Sequence, residues 1–336
     1  MIRPKTAPAP LTEIWRGPIA ESVHLGHAVI CGPGGDVIEA WGDPDVTAYP
    51  RSSCKMIQAL PLIESGAADA AGLGPEQLAL ACASHQGDPI HTGRVEAWVT
   101  GLGLGEDDLR CGSHMPYGEE TAHALIRAGD KPCQLHNNCS GKHAGFLTLN
   151  RHLAGHADYV DLDHPVQRAC LAAFEEVTGE SSPGYGIDGC SAPNFLGSLR
   201  GMGRAMAYFA TATEGADARQ TAAARLRDAM IAHPDLVAGE GRACTLLMRA
   251  CTEPVALKTG AEGFFIAILP QRGIGIALKI ADGATRGAEC AIATLLVRLG
   301  ALDADHPSAR MFMNKVLTNC RGLKVGAIRP VPGLLR

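Results

Sequence analysis

The chain has 336 residues, of which 46% are hydrophobic and 19% are charged, and its formal net charge at pH 7 is −5. This balance is typical of a globular protein and excludes a disordered chain, while the length allows one large domain or two ordinary ones. The negative net charge and the lack of a basic run argue against nucleic-acid binding, so we expect no nucleic-acid partner.

The amino terminus resembles a loose tail. Residues 1–10 contain three prolines and two cations but no apolar core segment, which does not fit a secretory signal. No stretch of the sequence approaches the ~18 apolar residues that a membrane-spanning helix needs. Twelve cysteines are scattered along the chain, and in a reducing compartment they would stay as thiols. We therefore expect a cytoplasmic protein with no membrane partner.

Strand patterns occur near both ends of the chain. Residues 22–31 and 37–41 are predicted as two strands around a Gly/Pro turn. Residues 263–269 and 274–280 show the same pattern around a second turn. Each pair predicts a β-hairpin.

The middle of the chain, from residue 55 to about 248, is mostly helical in pattern. Ala-rich amphipathic segments such as 166–178 and 219–232 alternate with Gly/Pro loops. A further helix is predicted near the carboxyl end, over about residues 287–299.

Strands at both ends with helices between them predict an α+β fold. The N- and C-terminal segments would form an antiparallel sheet, with the helical middle region packed on it. Because no repeat or long linker interrupts the chain, we predict a single domain, residues 1–336. Its sheet subregion would comprise about residues 15–50 and 250–336, and its helical subregion about residues 51–249.

The first chemical motif is S-x-x-K, formed by Ser52 and Lys55 at the start of an apolar run. On a helix these side chains would share one face, with roughly 5–6 Å between their Cβ atoms. Lysine accepts a serine proton only as a free amine, which requires burial or a nearby second cation. The motif is short, and a serine near a helix start with a solvated lysine is the alternative interpretation.

A second motif, K-T-G, is formed by Lys258 and the next two residues, directly before a predicted strand. S-x-x-K followed by K-T-G is the pairing of serine β-lactamases and penicillin-binding proteins, in which the second lysine faces the nucleophile across the cleft. The third motif of those enzymes, S-D-N, is absent here.

Several loops carry more reactive side chains than a simple connection needs. Ser84 ends a short apolar run in one of them, where a helix cap is the alternative interpretation. In another, Asn138, Cys139, Lys142 and His143 lie close together before an apolar helix, and further loops cover residues 184–194 and 237–242.

Taken together, these motifs resemble the Rhizobium-type L-asparaginases over roughly residues 15–330. The resemblance rests on Arg51-Ser52-x-x-Lys55, the N-N-C-S-G-K-H-A-G loop, the G-I-D-G-C-S-A-P loop, the segment from His233 to Arg242, and K-T-G. It implies a fold similar to serine β-lactamases and glutaminases, and hydrolysis of L-asparagine to L-aspartate and ammonia by a homodimer.

The resemblance also implies roles for individual residues. Ser52 would be the nucleophile with Lys55 as its base, and Ser84 and Lys258 would form a second serine–lysine pair. The resemblance also implies a zinc ion bound by Cys139, Lys142 and Cys190, with water as a further ligand. It implies that Arg51, Asn138, His143 and Asp188 bind substrate or support the metal site.

The zinc expectation depends on the resemblance, because Cys-x-x-Lys with a distant cysteine is not the usual C-x-x-C pattern. Lysine binds a metal only as a free amine, so binding would release a proton. Without the resemblance, three buried or reactive groups are the alternative interpretation. For the function, a glutaminase, another serine acylase of the β-lactamase type, and a non-catalytic zinc- or amino-acid-binding protein stay open.

Overall fold

The computed structural model describes residues 5–335, whose contacts divide the chain into two compact units. The described part of the first, here called the sheet unit, comprises residues 5–53, 197–211 and 246–335. The second, the helical unit, comprises residues 54–196 and 212–245. The organisation as one domain stays a prediction.

The strands of residues 5–335 are labelled in chain order. They are β1 (Ala9–Arg16), β2 (Ile19–Cys31), β3 (Val37–Trp41), β4 (Thr47–Ala48), β5 (Tyr185–Ile187), β6 (Pro193–Phe195), β7 (Gly197–Ser198), β8 (Ala256–Thr259), β9 (Phe264–Leu269), β10 (Ile274–Ile280), β11 (Val316–Thr318) and β12 (Lys324–Pro330).

The helices of the same residues follow. They are α1 (Lys55–Gln58), α2 (Leu60–Glu64), α3 (Ala67–Ala70), α4 (Pro75–Ala81), α5 (Pro89–Gly101), α6 (Glu119–Ala128), α7 (Ser140–His152), α8 (Pro165–Thr178), α9 (Leu199–Thr211), α10 (Ala218–Ala232), α11 (Pro234–Val237), α12 (Ala243–Ala250), α13 (Thr285–Arg298), α14 (Pro307–Met313) and α15 (Pro332–Leu335). None of them is long and apolar enough to cross a membrane.

The sheet unit is built on one antiparallel sheet. Its strands lie in the order β11-β12-β1-β2-β10-β9-β8, and β3 pairs with β2. Both predicted hairpins are present in it, as β2–β3 and β9–β10. Every residue of β9 is buried, because helices α9 and α13 both pack on this sheet, and a strand covered on both faces is continuously apolar. The predicted α+β class, with an antiparallel sheet from the two ends of the chain, is confirmed.

Helix α9 belongs to the sheet unit, although the sequence placed residues 197–211 in the helical subregion. The reason is a close approach between α9 and β10. A Cβ on Gly275 would lie 2.3 Å from the carbonyl oxygen of Gly203, so glycine permits the backbones to touch. Helical periodicity does not reveal which unit a helix packs against.

The amino terminus also differs from its prediction. Ala9 and Pro10 begin β1, which pairs with β2 and β12, so the end of the predicted loose tail is part of the sheet. The first four residues of that tail lie outside the described residues.

The helical unit is centred on α7. Every residue from Ser140 to Asn150 is buried, and α4, α5, α2 and α8 pack around this helix. The helices predicted at 166–178 and 219–232 appear as α8 and α10, each within one residue of its predicted ends. A short hairpin, β5–β6, and the loops before α5 and α7 carry the polar residues singled out above.

Candidate active site

Ser52 lies in a strained turn at the edge of the sheet unit. A 3-10 helix runs over Arg51–Cys54, and Arg51 has a φ of 51°, a left-handed conformation that non-glycine residues seldom adopt. The Ser52 side chain is half-buried. Strain of this kind persists only where the surrounding structure enforces it, and it is concentrated at functional sites.

The same turn packs against the K-T-G segment. The Ser53 hydroxyl donates a hydrogen bond to the carbonyl oxygen of Lys258 at 3.0 Å. A Cβ on Gly260 would lie 2.6 Å from the carbonyl oxygen of Pro50, so no other residue fits there without displacing the turn. The serine end of S-x-x-K and the K-T-G motif therefore adjoin within the sheet unit.

Lys258 is a buried cation on strand β8. Its side chain is 1% exposed, and its Nζ donates to the carbonyl oxygen of Thr259 at 2.8 Å. The residue pairs with Ile266 of the fully buried strand β9.

Lys55 opens helix α1 of the helical unit and is 2% exposed. Its Nζ lies 3.0 Å from the Ser84 hydroxyl and 3.1 Å from the Cys139 sulfur, and it also donates to the carbonyl oxygen of Ala83. A lysine amine, a serine hydroxyl and a thiol therefore meet in a place from which bulk water is excluded.

Ser84 is held in position by backbone hydrogen bonds to two other loops. Its N–H donates to the carbonyl oxygen of Val237 at 2.9 Å, and the N–H of His85 donates to that of Asn138 at 3.2 Å. These bonds tie the Ser84 loop to the loop before α7 and to the end of α11. Two segments that are remote in sequence, the Ser84 loop and the start of α7, thus converge on the Lys55 amine, and a third supports the Ser84 loop.

Two buried histidines support this loop. The His85 and His91 rings stack with centroids 4.8 Å apart. His85 Nε2 lies 3.0 Å from the Ser140 hydroxyl, which itself donates to the carbonyl oxygen of Leu135, so His85 is the donor. Burial lowers the pKa of both histidines. They are neutral structural supports.

Cys139 is placed by Asn137 at the start of α7. The Asn137 side-chain oxygen accepts from the Cys139 N–H at 2.8 Å. Its amide nitrogen donates to the carbonyl oxygens of Cys111 and Gly112. The adjacent Asn138 is half-buried, and its side-chain oxygen lies 3.5 Å from the Cys139 sulfur.

Cys190 lies in the turn of the β5–β6 hairpin. Backbone bonds from Asp188 to Ala192 and from Ser191 to Asp188 close this turn, and Ser191 has a φ of 70°. The Cys190 sulfur lies 3.0 Å from Nζ of Lys142 on α7. Both side chains are buried.

The charges of this group depend on one another. A hydrogen bond from the Cys139 thiol holds the pKa of Cys190 well below its usual range against the effect of burial, helped by Lys142 and His143. The pKa of Cys139 is raised by the same hydrogen bond and by burial. Burial by itself lowers the pKa of Lys142, but Cys190 and Cys139 outweigh the effect of burial, so the pKa of Lys142 is raised. Without metal, the directions of these pKa shifts favour a Cys190 thiolate beside a Lys142 ammonium.

Two other buried cysteines behave differently, because burial is the largest influence on their pKa. Burial raises the pKa of Cys54 and of Cys170 to about 12. Their thiols stay protonated and resemble small apolar side chains.

The donor set at Cys139, Lys142 and Cys190 fits a borderline-soft cation such as zinc. Sulfur and nitrogen are the ligand atoms that zinc prefers, and Lys142 Nζ and the Cys190 sulfur are close enough to share one ion. His143 is fully buried beside them and Asp188 is half-buried. The Asp188 carboxylate is one of the charges that raise the pKa of Lys142.

The predicted site residues thus form two groups. Arg51, Ser52 and Lys258 belong to the sheet unit, and the other members belong to the helical unit: Lys55, Ser84, Asn138, Cys139, Lys142, His143, Asp188 and Cys190. The pairings Ser52–Lys55 and Ser84–Lys258 each join residues of different units and stay predictions.

Three supporting residues were given no role by the sequence analysis: His85, Asn137 and Tyr159. Asn137 had a local signal, because an asparagine side chain often accepts the backbone N–H two residues further along the chain. The other two had none, since their partners lie far away in the sequence.

One further group of possible metal ligands lies on the surface. Among residues 5–335, the His, Cys, Asp or Glu side chains whose ligand atoms lie within 4.8 Å of one another are His156, Asp158 and Asp161, all exposed. Asp158 already pairs with Arg110 at 3.1 Å, so this group carries no functional assignment.

Comparison with known proteins places the chain in a wider context. A family model described as L-asparaginase II matches residues 12–330. The search of curated proteins finds no match. Among solved structures, Mglu in its native form is similar at 14% identity and a TM-score of 0.45, over 87% of this chain and 69% of that chain. The chain spans 64% of the length of two further Mglu structures.

Two β-lactamase-like proteins are also similar. The one from Bacteroides dorei has 12% identity and a TM-score of 0.37, over 76% of this chain and 84% of that chain. The one from Mycobacterium bovis has 11% identity and a TM-score of 0.36, over 81% and 94%.

Proposed function

The chain belongs to the L-asparaginase II family, which makes it an amidohydrolase, and we propose that it hydrolyses L-asparagine to L-aspartate and ammonia. The observation that carries this proposal is the buried Lys55 amine, whose Nζ contacts the Ser84 hydroxyl at 3.0 Å, the Cys139 sulfur and the Ala83 carbonyl oxygen. An amide needs a strong nucleophile and a protonated leaving group, and one lysine that accepts and returns a proton supplies both.

We propose Ser52 as the nucleophile and Lys55 as its base. Support comes from the strained turn at Arg51, which fixes the Ser52 backbone. Further support comes from the adjacent Ser53, whose hydrogen bond places this turn beside Lys258. In this scheme Arg51 and Lys258 supply positive charge for the α-carboxylate of the substrate, and Ser84 with Lys258 forms a second pair.

In the acylation step, Oγ of Ser52 bonds to the side-chain amide carbon while Lys55 accepts the hydroxyl proton. The C–N bond then breaks, and Lys55 returns the proton to the leaving nitrogen, which departs as ammonia. In the deacylation step, water adds to the ester carbon and gives its proton to Lys55. The bond between carbon and Oγ breaks, Oγ regains the proton, and L-aspartate is released.

We further propose that Cys139, Lys142 and Cys190 hold one zinc ion, with Asn138, His143 and Asp188 around it. The donor atoms and the thiolate character of Cys190 support this assignment. Zinc bound there would supply positive charge that polarises and positions a substrate carbonyl or carboxylate. The proton transfers and the nucleophilic attack described above are assigned to Ser52 and Lys55.

The homodimer and the cytoplasmic location are proposals of the same kind. The homodimer rests on the family resemblance. The location is supported by the cysteines, none of which forms a disulfide within residues 5–335, as expected in a reducing compartment.

An ammonia-release assay on L-asparagine and L-glutamine tests the function. Because proton transfer by a positioned base contributes about 10²–10⁴-fold, Ser52→Ala and Lys55→Met should lose at least that much activity on L-asparagine. Ser65→Ala is a matched control, since its hydroxyl, directly after helix α2, donates to the carbonyl oxygen of Pro61 and accepts from the N–H of Ala67. It should keep wild-type activity.

The outcomes separate the alternatives. Activity that survives Ser52→Ala excludes the proposed nucleophile, and a preference for L-glutamine makes the protein a glutaminase. A wild-type protein that releases no ammonia from either substrate is a binding protein.

The contact between Lys55 and Ser84 makes Ser84 the specific alternative nucleophile. Mass spectrometry of peptides from protein quenched during turnover distinguishes the two, because the acyl group stays on the serine that was attacked. We expect it on Ser52.

A further inference from the structure

Tyr159 is a fully buried residue between α7 and α8 that no motif singles out. Its hydroxyl oxygen accepts a hydrogen bond from the backbone N–H of Arg110 at 2.8 Å and lies 2.9 Å from Nδ1 of His143. The rings of Tyr159 and His143 also meet edge to face, with centroids 5.6 Å apart. Tyrosine and histidine thus form a fixed pair next to the candidate metal site.

The direction of these hydrogen bonds follows from the available protons. Burial raises the pKa of Tyr159, so the side chain stays a phenol with one proton. The bond from Arg110 uses the oxygen as an acceptor, which leaves the hydroxyl proton to be donated. His143 Nδ1 is the acceptor at hydrogen-bonding distance. A neutral imidazole that accepts at Nδ1 carries its own proton on Nε2.

The Nε2 nitrogen of His143 is buried, and the ring interacts with the Cys190 sulfur in addition to the Tyr159 hydroxyl at Nδ1. Among the described residues, no side chain or carbonyl forms a hydrogen bond of ordinary geometry with this buried nitrogen. Burial lowers the pKa of His143, and interaction with the Cys190 sulfur raises it. A proton on Nε2 can be donated to that sulfur. In the other tautomer, a lone pair would face the sulfur and the Tyr159 hydroxyl would lose its acceptor.

We propose that Tyr159 is a positioning residue, which fixes His143 in the tautomer that directs Nε2–H at the Cys190 sulfur. Histidines and hydrogen-bond donors that surround metal ligands orient those ligands, and their loss typically weakens metal binding 10–100-fold. The part of this inference that concerns the metal rests on the proposed zinc site. The part that concerns the tautomer does not.

The direct test is the side-chain ¹⁵N spectrum of His143 in the metal-free protein, assigned by its loss in His143→Gln. We expect wild type to show protonated Nε2 and unprotonated Nδ1. In Tyr159→Phe the ring stays and the hydroxyl is lost, so the proton should redistribute to Nδ1. Gln167→Met is the matched control, because Gln167 donates to the Tyr159 carbonyl and not to its hydroxyl. It should show the wild-type spectrum.

The second readout is affinity for Zn²⁺ alone, measured by competition with a chelator at constant pH. Tyr159→Phe should bind Zn²⁺ about 10–100-fold more weakly than wild type, whereas Gln167→Met should bind it like wild type. A wild-type spectrum with the proton on Nδ1 overturns the proposal, and so does an unchanged Zn²⁺ affinity in Tyr159→Phe.

These results are independent of the proposed reaction. The ¹⁵N spectrum needs neither substrate nor metal. Because the wild-type spectrum alone can refute the tautomer assignment, the test holds even when Tyr159→Phe fails to fold. A wild-type protein that fails to bind zinc would refute the metal site, and one that fails to release ammonia would refute the proposed function. The tautomer assignment would stand in either case.

Discussion

At the scale of single residues, the chemistry of this protein depends on amines buried among thiols. Lys142 lies 3.0 Å from Cys190, and Lys55 lies 3.1 Å from Cys139. A buried charge is stable only where it is paired, and the thiolate of Cys190 pairs with Lys142. The same contact keeps Lys142 protonated in the metal-free protein, since it raises the pKa of that amine.

This ion pair predicts how zinc binding depends on pH. Lys142 and Cys139 must lose their protons to become ligands, because their pKa values are raised in the metal-free protein. Binding should therefore release protons and tighten as pH rises. Elemental analysis should find one zinc per chain in wild type and none in Cys139→Ala. Titration calorimetry in buffers of different ionisation enthalpy should measure the released protons.

Cys170→Ala is the matched control for the loss of a buried thiol. Its sulfur only donates to the carbonyl oxygen of Gln58, and zinc content should stay at the wild-type level. Full zinc content in Cys139→Ala, or binding without proton release, would contradict the assignment.

Residue types with unusual chemistry could be recognised in the sequence, but their partners could not. Ser52, Lys55 and Cys139 were visible because reactive groups are crowded around them. The pairing of Lys55 with Ser84 and the support of His143 by Tyr159 depend on distances between loops, which spacing along the chain does not encode.

At the scale of elements, the site depends on how closely helix α7 approaches α4. Gly141 lies between Cys139 and Lys142, and a Cβ there would be 2.4 Å from the carbonyl oxygen of Leu80. Gly141→Ala should therefore push the start of α7 away from α4. Overpacking of this kind costs about 1–3 kcal/mol. We expect a lower melting temperature together with weaker zinc binding, measured by thermal unfolding and chelator competition.

Gly93→Ala, on the neighbouring helix α5, should stabilise the protein, in contrast to Gly141→Ala. Gly93 is exposed in the interior of α5, with nothing within 4 Å of an added Cβ. Alanine should raise the free energy of unfolding by about 0.5–1 kcal/mol, because it loses less backbone freedom on folding. Equal effects of the two substitutions would show that the packing of α7 against α4 is not close.

The long periodic elements were predictable and the short ones were not. Helices α8 and α10 and both hairpins follow from their apolar patterns. Strand β11 has three residues, and β12 contains Gly326 and ends at Pro330, so neither has enough alternation to be recognised. Pairing of β12 with β1, and of β11 with β12, creates them.

At the scale of the whole molecule, the order of strands and helices along the chain was enough to predict the fold class. Antiparallel strands at the two ends must pair with each other to satisfy their hydrogen bonds, and β1, β2, β10 and β12 do so. The predicted resemblance to an asparaginase family is confirmed by the match over residues 12–330. The membership of α9 was not predictable, because it depends on two glycines that act only in the folded chain.

The stacked pair His85–His91 predicts how the stability of the molecule depends on pH. Burial lowers the pKa of both rings, and for His85 the neighbouring His91, Lys55, His114 and His136 add to this effect. In the unfolded chain both titrate near 6.5. Below that pH the unfolded state binds protons that the folded state does not, so stability is complete above about pH 6.5 and is lost on acidification.

Each such histidine contributes up to about 1.4 kcal/mol per pH unit to the slope of the free energy of unfolding. Denaturant unfolding between about pH 5 and pH 8 should show this slope in wild type. His91→Phe keeps a ring in the stack and removes one titrating group, so its slope should be smaller by about one proton. His123→Gln, on the exposed helix α6, serves as the control with the wild-type slope. An unchanged slope in His91→Phe would contradict this prediction, because it would mean that the ring titrates equally in the folded and unfolded states despite its burial against Asp235 and His85.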